Sequence, residues 1–109
     1  MSLLTQLHEE KRATRERLRQ GIRARCRQVL RTLLPPGTQV VVFGSLAKPY
    51  AFSRWSDVDL AVGALPAGVS PEKLAARLEA ELGRPADVVR LGETRINAAI
   101  LRTGETWTL

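Results

Sequence analysis

At 109 residues with a single cysteine, the chain offers one domain with a modest core, no room for a separate substrate domain, and no disulfide within itself. Its 44% apolar and 5% aromatic content is that of a soluble globular protein; no apolar run reaches membrane-spanning length, and Cys/His metal clusters are ruled out by composition. The net charge of +6 is uneven: residues 1–36 carry nine Lys and Arg against three Glu, whereas residues 37–109 carry eight of each sign.

The first element in chain order is a long helix from about Leu3 to Leu33. Leu18, Ile22, Cys26, Val29/Leu30 and Leu33 recur at spacings of three and four, with Leu3, Leu4 and Leu7 beginning another segment of the stripe. Gly21 is its weak point, costing about 1 kcal/mol relative to Ala and marking a bend or a close contact. Arg12, Arg15, Arg19, Arg23, Arg27 and Arg31 recur at the same spacings and are read as a neighbouring basic face. That face reads either as a solvated surface or as a contact surface for RNA or an acidic partner. No aromatic residue is interleaved for base stacking, which places RNA behind a protein partner. The spare apolar residues could dock on the chain's own domain, pair with a second copy, or hold a partner. The N-terminus is polar and charged rather than basic-then-apolar, so a cytoplasmic setting is expected.

Pro35-Pro36-Gly37 ends the helix and divides residues 1–36, a helix packed on or extending from the domain, from the domain proper at 37–109. Val40 to Phe43 then reads as a buried strand that stops at Gly44-Ser45. Gly44 permits a sharp turn or a close ligand, and Ser45 offers a hydroxyl and an N–H where a short helix begins, a combination suited to phosphate. The segment from Leu46 to Trp55 is a loop or short helix interrupted by Pro49; its Lys48 and Arg54 are candidate triphosphate contacts or ordinary surface cations. Tyr50, Phe52 and Trp55 are expected to pack beneath it.

From Ser56 the pattern is Ser-Asp-Val-Asp-Leu-Ala-Val. As a strand it puts Asp57 and Asp59 on one surface and Val58, Leu60 and Val62 on the other. Two carboxylates so close repel unless a cation lies between them, and few hard oxygen ligands suit Mg²⁺ held jointly with substrate phosphates. If this strand runs back beside the first, Gly44 and the aspartates meet at one sheet edge. Ser70 and Pro71 open a helix whose Leu74, Leu78 and Leu82 face inward, and Gly83 closes it. As a crossover, it allows the strand Asp87 to Leu91 to lie parallel to that of Asp59. A last helix is expected over Thr94 to Arg102, with Ile96, Ala99 and Ile100 inward, and a terminal strand over Glu105 to Leu109.

Gly-Ser, a short insert, Ser-Asp-Val-Asp-Leu-Ala-Val and a later Asp followed by apolar residues together resemble the DNA polymerase beta-like nucleotidyltransferases, and among them the minimal nucleotidyltransferase domains. The resemblance spans residues 38 to 109 and implies an α/β (α+β) fold: a small mixed sheet flanked by helices, here with a long basic amphipathic N-terminal helix. It implies that Asp57, Asp59 and Asp87 are catalytic and bind two Mg²⁺ ions, Asp87 helping the metal or taking the acceptor's proton. Gly44 and Ser45 would hold ATP or another NTP, and a nucleoside monophosphate would pass to a hydroxyl. It further implies an antitoxin that neutralises a HEPN-type toxin, in some cases by adding AMP to it. Leu46-Ala47-Lys48-Pro49-Tyr50 stands where the family usually has a small residue, a basic residue and Gly, and the insert before Asp57 is about one residue longer. A catalytically silent binding module and an RNA-directed nucleotidyltransferase are the alternatives.

Overall fold

A computed structural model describes all residues except Met1, Thr94 and Ile96. Helix α1, Leu3–Leu33, starts at Ser2, whose hydroxyl caps the Thr5 N–H, and ends at Leu34. It is unbroken at Gly21, where an added Cβ would meet nothing within 4 Å, so the position is not a close contact. Strand β1, Gln39–Phe43, is followed by a 3-10 turn over Gly44–Ala47, and β2 covers Val58–Val62. Helix α2, Pro71–Leu82, has the expected Ser70 cap and a left-handed Gly83 at its end. Strand β3 is Ala86–Arg90, α3 is Asn97–Thr103 and β4 is Glu105–Thr108. Two residues of the expected last helix, Thr94 and Ile96, lie outside the described residues.

The sheet order is β3-β2-β1-β4. β1 is antiparallel to β2 and to β4, and β2 is parallel to β3 through the α2 crossover. Alternation along the strands divides the core in two. Val40 and Val42 of β1 and Val58, Leu60 and Val62 of β2 pack with Cys26, Val29 and Leu30 of α1 and Leu74 and Leu78 of α2. Val41 and Ala61 point to the other face, under Ile100 of α3. Burial drives the Cys26 thiol up to about 12, so it packs as an apolar group and carries no reactive thiolate.

Only the second half of α1 joins this core. Residues 2–15 are exposed throughout, with Leu3 70% and Leu4 71% accessible, and the molecule is correspondingly elongated, 56 × 28 × 22 Å. Among the described residues no helix is long and apolar enough to cross a membrane.

Candidate active site

The antiparallel register pairs Phe43 with Asp59, and the parallel register pairs Asp59 with Asp87. The end of β1, the start of β2 and the start of β3 therefore meet at one end of the sheet, as expected if β2 runs back beside β1. Asp59 belongs to the face shared by Phe43, Ala61 and Val89, on the α3 side of the sheet. Asp57 lies one residue before β2, so it reaches the site from the end of a loop rather than from within the strand.

Gly44 is held at φ +68°, and a Cβ there would overlap Asp59 Oδ2. The backbone that opens the 3-10 turn thus lies directly against a carboxylate, an approach only glycine allows. Burial first, then the charges of Asp87 and Asp57, push the Asp59 carboxyl up to about 6. Its negative charge is poorly balanced, and a cation is what the donor set lacks. Among the described residues no group of three or more Asp, Glu, His or Cys side chains is placed to hold a metal ion. A site of few carboxylates fits Mg²⁺, which keeps several waters and shares substrate phosphates.

The loop between the two halves is fastened by groups that pattern reading missed. Arg84, between the end of α2 and β3, donates from Nη1 to the Ser56 carbonyl at 3.1 Å and the Ser53 carbonyl at 3.3 Å. Its guanidinium also lies 4.7 Å from the centre of the Phe52 ring. Burial draws the Arg84 pKa down while the Asp57 charge opposes that shift. Arg84 therefore ties the loop leading into Asp57 to the strand that carries Asp87. Nothing in the spacing around Gly83-Arg84-Pro85 signals this.

On the other side, α1 grips the loop after Ser45. Arg19 Nε donates to the Leu46 carbonyl at 2.9 Å and Arg23 Nη1 to the same oxygen at 3.2 Å. Arg19 also pairs with Glu16, whose other oxygen accepts the Tyr50 N–H at 2.7 Å. Arg12 lies over the Tyr50 ring, and Arg23 and Arg27 over Trp107. Four of the six arginines in the basic stripe are thus turned onto their own domain. A signal was available: Arg19 and Arg23 lie seven and three residues before Cys26, on its face of the helix. The basic and apolar stripes interleave rather than sitting side by side.

Phe52 is fully buried as expected, but Tyr50 and Trp55 are exposed, Trp55 to 79%. Lys48 and Arg54 are exposed as well, and Arg54 stacks on Trp55 with its guanidinium 4.8 Å from the ring centre. Two wide concavities, about 850 and 710 Å³, flank the outer half of α1; one is lined by Arg12, Glu16 and Tyr50, the other by Leu7, Leu18 and Trp55. Neither has Asp57, Asp59 or Asp87 in its lining.

The sequence matches none of the curated proteins. Solved structures do resemble it. A toxin–antitoxin crystal structure with AMP-PNP is 25% identical, with a TM-score of 0.58 over 75% of this chain and 69% of that one. A tri-AMPylated Shewanella oneidensis HEPN toxin in complex with MNT antitoxin gives 22% identity and a TM-score of 0.59 over 84% and 73%. The toxin–antitoxin MntA–HepT gives 22% and 0.57 over 83% and 73%; these last two likenesses show the shared fold. A family model described as nucleotidyltransferase domain matches residues 23–100. Because that match covers most of the chain and takes in Gly44, Ser45 and all three aspartates, the chain belongs to the nucleotidyltransferase domain family.

Proposed function

We propose that the protein transfers a nucleoside monophosphate from ATP or another NTP to a hydroxyl on a HEPN-type partner protein, acting as the antitoxin of that pair. The observation that carries this reading is the contact of the Gly44 backbone with Asp59, which is itself in register with Asp87. It puts the turn that we read as the phosphate site beside a group of unbalanced carboxylates. The solved relatives add that one contains AMP-PNP and another a tri-AMPylated HEPN toxin.

In this reading Asp57, Asp59 and Asp87 hold Mg²⁺, two ions in the full arrangement. The metal supplies charge neutralisation for the attacking and leaving oxygens when it is bound. Ser45 and the N–H groups of the 3-10 turn orient the β- and γ-phosphates, with Lys48 and Arg54 near enough in sequence to add positive charge. The acceptor oxygen bonds to the α-phosphorus, the bond from that phosphorus to the bridging oxygen breaks, and pyrophosphate leaves. The Asp87 carboxylate takes the hydroxyl proton. Residues 37–109 form the catalytic unit and residues 1–36 its support, and the setting is cytoplasmic.

The exposed end of α1, with Leu3, Leu4 and Leu7, is the surface we assign to a protein partner or a second copy. An RNA acceptor is disfavoured, because Arg12, Arg19, Arg23 and Arg27 are engaged with the chain's own loop and terminal strand. A catalytically silent module is the competing outcome. Calorimetric titration of ATP with and without Mg²⁺ separates the two. Mg²⁺-dependent binding that disappears in a folded Asp57→Asn/Asp59→Asn variant is the expected result; binding by neither protein would return the chain to the role of a contact-only module.

A further inference from the structure

We propose that Glu16 and Arg19 of α1 are positioning residues for the triphosphate loop, setting its geometry from outside the part of the chain that the family model matches. The inference rests on reading Gly44 and Ser45 as the triphosphate site. Residues 16 and 19 precede the matched segment, 23–100, whereas Arg23, which shares the Leu46 carbonyl, opens it.

The loop has little of its own to hold it. Between Ser45 and Ala51 the backbone bonds outside the 3-10 turn are Lys48 N–H to the Ser45 carbonyl and Ala51 N–H to the Lys48 carbonyl, both 3.2 Å. Tyr50 adopts φ +64°, a left-handed conformation that an aromatic residue rarely takes unless its surroundings impose it. Those surroundings come from α1, where Arg12 lies over the Tyr50 ring and Arg23 joins Arg19 on the Leu46 carbonyl. Glu16 accepts the Tyr50 N–H, Glu16 pairs with Arg19, and Arg19 donates to the Leu46 carbonyl. Both ends of the segment from Leu46 to Tyr50 are therefore fixed to side chains three residues apart on a rigid helix.

Burial alone does not explain the choice of residue. Arg19 is only 5% exposed, and an apolar side chain of similar size would fill that space without the cost of desolvating a charge. What arginine adds is direction. Its Nε–H fixes the Leu46 carbonyl, and because the peptide is planar this also fixes the plane of the Leu46–Ala47 unit within the turn that begins at Gly44. Glu16 stays ionised to complete the pair: first the Tyr50 N–H and then Arg19 hold its carboxyl below the usual range. The consequence is a loop whose donors are arranged before the nucleotide arrives.

The test is calorimetric titration of ATP with Mg²⁺ into the native protein, Arg19→Met, Arg19→Lys and Glu16→Gln, at a temperature where circular dichroism shows each fully folded. Arg19→Met and Glu16→Gln are expected to bind ATP·Mg²⁺ about tenfold more weakly, with Arg19→Lys between them and the native chain. A purely structural role would lower melting temperatures and leave the affinity of the folded protein unchanged, and that result would overturn the proposal. Glu16→Gln keeps an acceptor for Tyr50 and provides the measurement if Arg19→Met does not fold. Native binding with unaltered variants refutes the positioning role alone. Absence of ATP·Mg²⁺ binding by the native protein refutes the reading of Gly44 and Ser45, and this inference with it.

Discussion

Asp59 and Glu16 are carboxylates of opposite character. The folded chain raises Asp59 from 3.8 to about 6, so this group's contribution to stability is fully present below 3.8 and is lost as pH rises through about 6. Glu16 and Glu105 are shifted down, Glu16 chiefly by the Tyr50 N–H and Glu105 chiefly by its bond with Arg23. Their contributions are present above the ordinary 4.5 and are lost as pH falls through their lower folded values. The two windows meet at about pH 4, so the metal-free protein should melt at its highest temperature near there and lose stability as pH rises to about 6. Asp59→Asn should raise the melting temperature at pH 7 and flatten the decline between about pH 4 and 6. Thermal melts across pH with a chelator present check this; a melting temperature that climbs steadily to pH 7 would mean that the charge on Asp59 is already balanced. Asp57 and Asp59 were singled out in the sequence by period-two alternation, although Asp57 lies one residue before β2, and Asp87 was singled out by the family resemblance. The rise in the pKa of Asp59 was not legible there, since it depends on how deeply one carboxylate sits among its neighbours.

At the scale of elements, α1 and β4 form a joint that the pattern did not reveal. The Trp107 ring packs under Arg27 and Arg23 at 4.5 and 5.3 Å, and its Nε1–H donates to Glu105 Oε1 at 3.1 Å. The same oxygen accepts from Arg23 Nη2 at 2.7 Å. The terminal strand is thereby held by β1 along its edge and by α1 through its side chains. Trp107→Ala should cost about 3–5 kcal/mol, from lost burial and the cavity left behind. Urea unfolding provides the value, and a loss below about 1 kcal/mol would show that the cation–π contacts and the burial of this ring carry little weight. Both elements could be read from sequence, α1 from its 3.6-residue period and β4 as a short run after Gly104. The joint was not read: an arginine in a helical pattern is ordinarily assigned to solvent, and although Arg23 shares the face of Cys26, only tertiary packing decides that Arg23 and Arg27 meet Trp107.

Across the whole molecule, the placing of β2 beside β1 and β3 beside β2 was suggested by two constraints visible in the chain, whereas the seat of β4 on β1 was not. A connection of fourteen residues, Gly44 to Asp57, returns β2 antiparallel to β1, and a helical crossover brings β3 parallel to β2. The division of α1 into a bare outer half and an embedded inner half was hidden, because its leucines continue past the point where the domain ends. A single unbroken helix of this kind has no single stability. Amides of residues 6–15 should exchange their hydrogens by local fraying, since an isolated stretch of that length is marginal in water, whereas those of residues 22–33 should exchange only when the core opens. The protection boundary is expected at Glu16 and Arg19, the residues that hold the loop. Exchange measured by mass spectrometry with and without ATP·Mg²⁺ should show this boundary moving toward the N-terminus when nucleotide binds. A fixed boundary would mean that the loop and the helix do not exchange free energy. If it moves, the length of ordered helix beyond the domain becomes a readout, at the far end of the molecule, of whether the nucleotide site is filled.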